Sequence, residues 1–218
     1  MDINGELRRK VIEELEWDPS IDASRIGVAV KDGIVTLTGT ILSYWDKQNA
    51  EYAAKRVAGV KAVADELTIT LPGMSTRNDV DIAESALAAL KFNIVVPRDR
   101  VQVTVANGWV SLDGEVDWQY QRLAGENAVN CLMGVKGVTN RIKVKASVRT
   151  ADVKAKIQSA FARNAQIDAK KVIVDTADGS VTLHGQVRSW AEKQAAETAA
   201  WAAPGVTRVV NELTVSAW

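Results

Sequence analysis

The stretch DGIVTLTG at residues 32–39 returns as NGWVSLDG at 107–114 and again as DGSVTLHG at 178–185. Repetition constrains a fold more tightly than composition does, because every copy must solve the same packing problem. With Gly33, Gly108 and Gly179 as anchors, the copies lie 75 and 71 residues apart. Gly39, Gly114 and Gly185 keep these offsets, as do Gly59, Gly134 and Gly205. Val60, Val135 and Val206 follow, then Val63, Val138 and Val209, and finally Leu67, Ile142 and Leu213. Upstream, Leu15, Leu90 and Phe161 hold one common position. Length differences fall in the linkers or at the first helix. The chain therefore reads as three homologous modules, residues 1–72, 73–147 and 148–218, joined near LPGMSTRN (71–78) and ASVRT (146–150).

Each module carries the same periodicities. Ile3, Leu7, Val11 and Leu15 recur every four residues and predict an amphipathic first helix. Ala83, Leu87 and Leu90 predict it in the second copy, and Val153, Ile157 and Phe161 in the third. Asn78 and Thr150 suit the N-cap positions. Two alternating runs follow, separated by Asp-Gly or Asn-Gly. That dipeptide favours a type I′ hairpin turn, which needs positive φ at both central residues. The turn fixes the register: Lys31 opposite Ile34, Val30 opposite Val35 and Val28 opposite Leu37. An alanine-rich second helix then begins near Trp45, Trp118 and Trp190 and ends at Gly59, Gly134 or Pro204-Gly205. A last strand, joined through a helix, is expected to lie parallel to the second. The fold class is thus α+β: three tandem α-β-β-α-β modules, each a three-stranded mixed sheet with both helices on one face.

The residues carrying this pattern are GIVTLTG with GVKAVADEL, GWVSLDG with GVKGVTNRI, and GSVTLHG with GVTRVVNEL. The pattern resembles the BON domain family (bacterial osmotically induced and nodulation domain) over nearly the whole chain. Asp65 departs from it where the other copies have Asn140 and Asn211, and Ile142 replaces the final leucine. The resemblance implies a non-enzymatic domain of envelope or stress-response proteins, often associated with phospholipid. It supplies no catalytic residue. Many members are periplasmic or lipoproteins, and some cytoplasmic relatives bind potassium.

Composition narrows the function further. The chain has 27 basic and 27 acidic side chains. The three modules carry −3, +1 and +2, from 9 basic against 12, 8 and 7 acidic residues. None is basic enough for sequence-independent nucleic-acid binding. Cys131 is the only cysteine, so no intrachain disulfide can form. The amino-terminal residues lack a signal-peptide pattern or a lipobox, and no segment has the length of a membrane span. The expected location is the cytoplasm, or the periplasm if a leader has been removed.

His184, the single histidine, occupies the position of Thr38 and Asp113 and should point off the outer sheet face. A nucleophile–base–acid site needs convergent partners in a pocket, so no catalytic, cofactor or metal site is expected. The glycine pattern lacks the lysine of a P-loop and the spacing of a dinucleotide fingerprint. Asp65, Asn140 and Asn211 point inward by parity and are read as satisfying backbone groups. Of seven tryptophans, Trp109 stands out on the outer face beside the hairpin turn, where Ile34 and Ser180 stand in the other copies. Packing between modules is the expected role of most of the aromatic residues, while Trp109 suits a lipid interface or a partner surface. Arg141, Lys143 and Lys145 alternate along the last strand and form a basic stripe beside it. Arg8–Lys10 and Lys154, Lys156, Lys170 and Lys171 are weaker basic clusters. The expected ligand is anionic phospholipid, with a protein partner or chaperone-like scaffold as the alternative and a potassium sensor as a third reading.

Overall fold

The computed structural model describes residues 3–71, 73, 77–145 and 152–216. Within it the chain forms two compact units, residues 1–39, 49–67 and 146–218 in one, and residues 40–48 and 68–145 in the other. Each module repeats one element order. The first runs α1 (Ile3–Trp17), β1 (Ile26–Lys31), β2 (Ile34–Ile41), α2 (Tyr44–Arg56) and β3 (Ala62–Ile69). The second runs α3 (Asp79–Phe92), β4 (Val101–Ala106), β5 (Trp109–Val116), α4 (Gln119–Asn130), then β6 (Gly137–Asn140) and β7 (Lys143–Val144). The third runs α5 (Val153–Arg163), β8 (Val172–Ala177), β9 (Ser180–Val187), α6 (Trp190–Trp201), then β10 (Arg208–Asn211) and β11 (Thr214–Val215).

The hairpin register is the one the turn dictates. Lys31 pairs with Ile34, Val30 with Val35 and Val28 with Leu37, and the other two hairpins repeat it. Asp32-Gly33, Asn107-Gly108 and Asp178-Gly179 all have positive φ, between 47° and 84°. In the second and third modules the last strand runs parallel to the central one, and in the first β3 lies beside β2. Side chains of one parity from each hairpin meet the helices: Val110, Leu112 and Val116 with Ile82, Ala86 and Val129, and Val181, Leu183 and Val187 with Ile157, Phe161 and Ala200. In the first module Leu7, Val11, Leu15, Val35, Leu37, Ala50, Ala53, Ala54 and Leu67 are buried in the same way.

Three details differ from expectation. The buried stripe of α3 is Ile82, Ala86 and Leu90, while Leu87 is exposed. Alanine and leucine occupy both faces of that helix, so spacing alone misplaces the stripe by one residue. Ile3 is exposed although it continues the apolar stripe of α1. The last strand of the second and third modules is divided in two after Asn140 and Asn211, whose side-chain Oδ1 accepts from the backbone N–H two residues on. Asn78 caps α3: its Oδ1 accepts from Asp81 N–H at 2.9 Å while the Asp81 carboxylate accepts from Asn78 N–H. Residues 72 and 74–76 of the first predicted linker and the whole of the second, Thr150 included, lie outside the described residues.

Candidate interaction surface

Helices cover one face of each sheet, so the opposite face is where the modules present variable side chains. The second module illustrates how that face is built. Val110, Leu112 and Val116 point inward on β5, which sends Trp109, Ser111, Asp113 and Glu115 outward. Trp109 pairs in register with Gly137 on β6. A Cβ on Gly137 would lie 2.5 Å from the Trp109 ring, so the indole lies flat where only glycine leaves room. Its Nε1–H donates to Thr139 Oγ1 at 2.7 Å. The ring is held at both ends and remains 50% exposed. An exposed aromatic ring held this way loses little rotational freedom when something docks on it.

Arg141, Lys143 and Lys145 are all exposed along the neighbouring strand. The stripe is largely neutralised by β5. Arg141 grips Asp113 through two bonds, Nε at 2.9 Å and an Nη at 2.7 Å. Hydrogen bonding to that guanidinium holds the Asp113 carboxyl below its usual range, and the guanidinium is raised in turn. Lys145 lies 3.4 Å from Glu115. Among the described residues Lys143 forms no ion pair. The face thus presents an indole beside paired charges, not an unscreened cationic band. Asp113 and Glu115 are not expected from the sequence as partners of the stripe, although their outward parity on β5 places them beside it.

The third module fills the same lattice differently. His184 stands at the Asp113 position and is half-buried, with Nδ1 3.0 Å from Glu212 and Nε2 3.8 Å from Asp175. Among the described residues no three histidine, cysteine or acidic side chains converge to hold a metal ion. Ser180 stands at the Trp109 position and faces Arg208, which leaves no flat seat for a ring.

The remaining predicted residues have structural surroundings. Gly33, Gly108 and Gly179 form the turns. Gly39, Gly114 and Gly185 have φ of 130°, 141° and 123°, and a Cβ on any of them would lie 2.0 Å from a backbone carbonyl of Arg25, Arg100 or Lys171. The close neighbour is the chain entering the hairpin. Gly59, Gly134 and Gly205 also have positive φ, just beyond the second helix. Asn140 Nδ2 donates to Arg122 O and to Glu126, both at 3.0 Å, and Asn211 does the same to Lys193 O and Glu197. Asp65 accepts from Leu67 N–H at 3.0 Å. Asn140 and Asn211 thereby tie the last strand to the second helix.

Other aromatic residues are used for packing. Lys55 and Lys193 lie 5.5 and 5.1 Å from the Trp190 ring centre, a cation–π arrangement that draws on the first and third modules within one unit. Tyr44 packs against the core of the second module, and Trp201 against that of the third. Trp17 is 83% exposed. Trp218 lies outside the described residues.

These features define a tandem α+β repeat protein, with helices on one face of each sheet and variable side chains on the other. The BON domain matches residues 4–70, 78–146 and 149–217, and the chain belongs to that family, in three copies. It is 31% identical over 145 residues to osmotically-inducible protein Y of Escherichia coli K12, covering 64% of this chain and 71% of that protein. A solved structure of CdsD, a structural protein of the type III secretion system of Chlamydia trachomatis, aligns over 97% of this chain and 92% of its own at 14% identity. Its TM-score of 0.27 is too low to carry an argument. No described helix is long and apolar enough to cross a membrane.

Proposed function

We propose that the chain is a non-catalytic binding protein that associates with phospholipid surfaces through the outer sheet face of its second module. Its relative's osmotic induction supports a role in osmotic or envelope stress. The observation that carries the reading is Trp109, half exposed yet fixed on Gly137 and Thr139. Tryptophan favours the lipid–water boundary because its ring is apolar and its N–H is polar. With two of the three neighbouring cations paired, the indole contributes more than charge does. Binding to anionic vesicles is therefore expected to fall only modestly with salt, unlike that of a polybasic patch.

Vesicle flotation tests this. The full chain should float with anionic vesicles, Trp109→Ala should lose most of that binding, and Lys143→Ala less. Failure of the wild-type chain to float at low salt would sink the proposal. A protein partner is the second reading, favoured by the Asp113–Arg141 pair, because an anionic bilayer repels Asp113 whereas a protein surface can complement both charges. If Trp109→Ala abolishes capture of a protein but leaves flotation unchanged, that reading replaces the first.

A further inference from the structure

The three modules are internal controls for one another, and they differ at the free edge of the sheet. Strands β1, β4 and β8 are edge strands. In a two-residue hairpin the residues alternate between pairs that exchange backbone bonds and pairs that turn theirs outward. In β4 the closing pair is Ala106 with Trp109, so Val101, Val103 and Val105 turn their N–H and C=O groups to the open side. The first module confirms this geometry at the equivalent residue, because Val28 O is accessible to Arg8, whose Nε donates to it at 2.8 Å.

That arginine blocks the first edge. At the same helix position the third module has Lys154, which reaches from the helix layer to Asp175 on the outer face, at 3.3 Å, and so passes across the edge of β8. Val28 and Val174 below these side chains are buried, at 8% and 0% exposure. The second module has Ala83 at this position, which is too short to reach the strand. Val103, equivalent to Val28 and Val174, is only half-buried. Among the described residues no side chain bonds to the backbone of β4. Its sequence VQVTVA has no charge, proline or glycine, and edges with none of these protections pair readily with another strand.

We infer that β4 is a self-association edge, pairing antiparallel with β4 of a second copy. The strand is complementary to itself about Val103. A two-fold axis there sets Val103 opposite Val103 and Val101 opposite Val105, so the outward groups exchange about six backbone hydrogen bonds. On the outer face Gln102 then meets Thr104, a polar cross-strand pair. Arg100 meets Ala106, so no like charges face each other, and the two arginines stand at opposite ends. The result is one sheet continuous through two second modules, with both Trp109 rings on the same face.

The test uses the full chain. Sedimentation across a concentration series up to about 100 μM should show a monomer–dimer equilibrium. Ala83→Arg installs the first module's cap at a half-buried position flanking the buried stripe of α3 and should weaken the dimer at least about tenfold with the fold retained by circular dichroism. Hydrogen exchange should show the amides of Val101, Val103 and Val105 slowing as concentration rises. A chain that stays monomeric throughout, or a dimer in which these three amides exchange equally fast at all concentrations, overturns the inference. So does a dimer that Ala83→Arg leaves unchanged.

Discussion

The second and third modules share a backbone plan down to the pairing of single residues, yet they present different surfaces. Val105 faces Val110 in one and Thr176 faces Val181 in the other, with the same turn and the same parallel last strand. Where the second has Asp113 gripped by Arg141, the third has His184 beside Glu212. Trp109 on Gly137 becomes Ser180 opposite Arg208. Ala83 beside an open edge becomes Lys154 across a closed one. What is repeated fills the core and the turns, where geometry leaves little choice. What varies lies on the open sheet face and edge, where substitution leaves the core intact. Stability rests on the shared positions, and the modules differ at the others.

The largest effect should come from the shared glycines. Gly114→Ala and Gly185→Ala each push a Cβ to 2.0 Å from a backbone carbonyl at strongly positive φ. Each should destabilise its module by about 3 kcal/mol or more in denaturant unfolding. A large difference between the two would break the claim that this position is equivalent. Next come Asn140→Ala and Asn211→Ala, which leave the same strand N–H and helix carbonyl without their side-chain partner. Both should cost about 1–3 kcal/mol.

The two modules should separate in acid. Glu192 is 3% exposed and starts α6, accepting from the backbone N–H of Asp168 and Arg188 at 2.8 Å each. Burial raises its pKa, but the two backbone N–H bonds and Arg188 outweigh it, so the carboxyl is held below the ordinary 4.5. A depressed carboxyl contributes stability above its unfolded value and loses it as pH falls through the folded one. The second module has Gln121 in this role, accepting from Asp117 and Trp118 N–H, and so has no titrating carboxyl at this position. Hydrogen exchange below pH 4.5 should therefore show the third module opening before the second, and Glu192→Gln should reduce that gap.

The smallest effects test the surface. Thr139→Val removes the acceptor of the Trp109 Nε1–H and should weaken vesicle binding by about 1 kcal/mol or less. Ser180→Trp alone should add no binding, because Arg208 and not glycine stands opposite in register; Ser180→Trp with Arg208→Gly should add some. If Ser180→Trp alone matches the double variant, the seat beneath the ring is irrelevant and only exposure matters.

Much of the fold was legible because local chemistry acts within a few residues. Asp-Gly and Asn-Gly set the turns, the turns set the register, and period-two alternation set the inward face. Fixed offsets also carried information that periodicity missed: Leu7 and Val11 map onto Ile82 and Ala86, the true buried stripe of α3. Trp109 was readable as outward from parity alone. The pairing of the basic stripe was less so, because Arg141 and Asp113 lie 28 residues apart and meet only across parallel strands. The open edge of β4 was not readable at all. It depends on whether the side chain at one helix position is long enough to reach a strand about twenty residues later, and only the packed helix and sheet bring those positions together. The sequence by itself determined the repeat, the turns and the inward face, since those follow from φ preferences and side-chain parity. Tertiary structure alone decided which charges are neutralised and which edge is left open, since both depend on distances between elements that the chain's order does not specify.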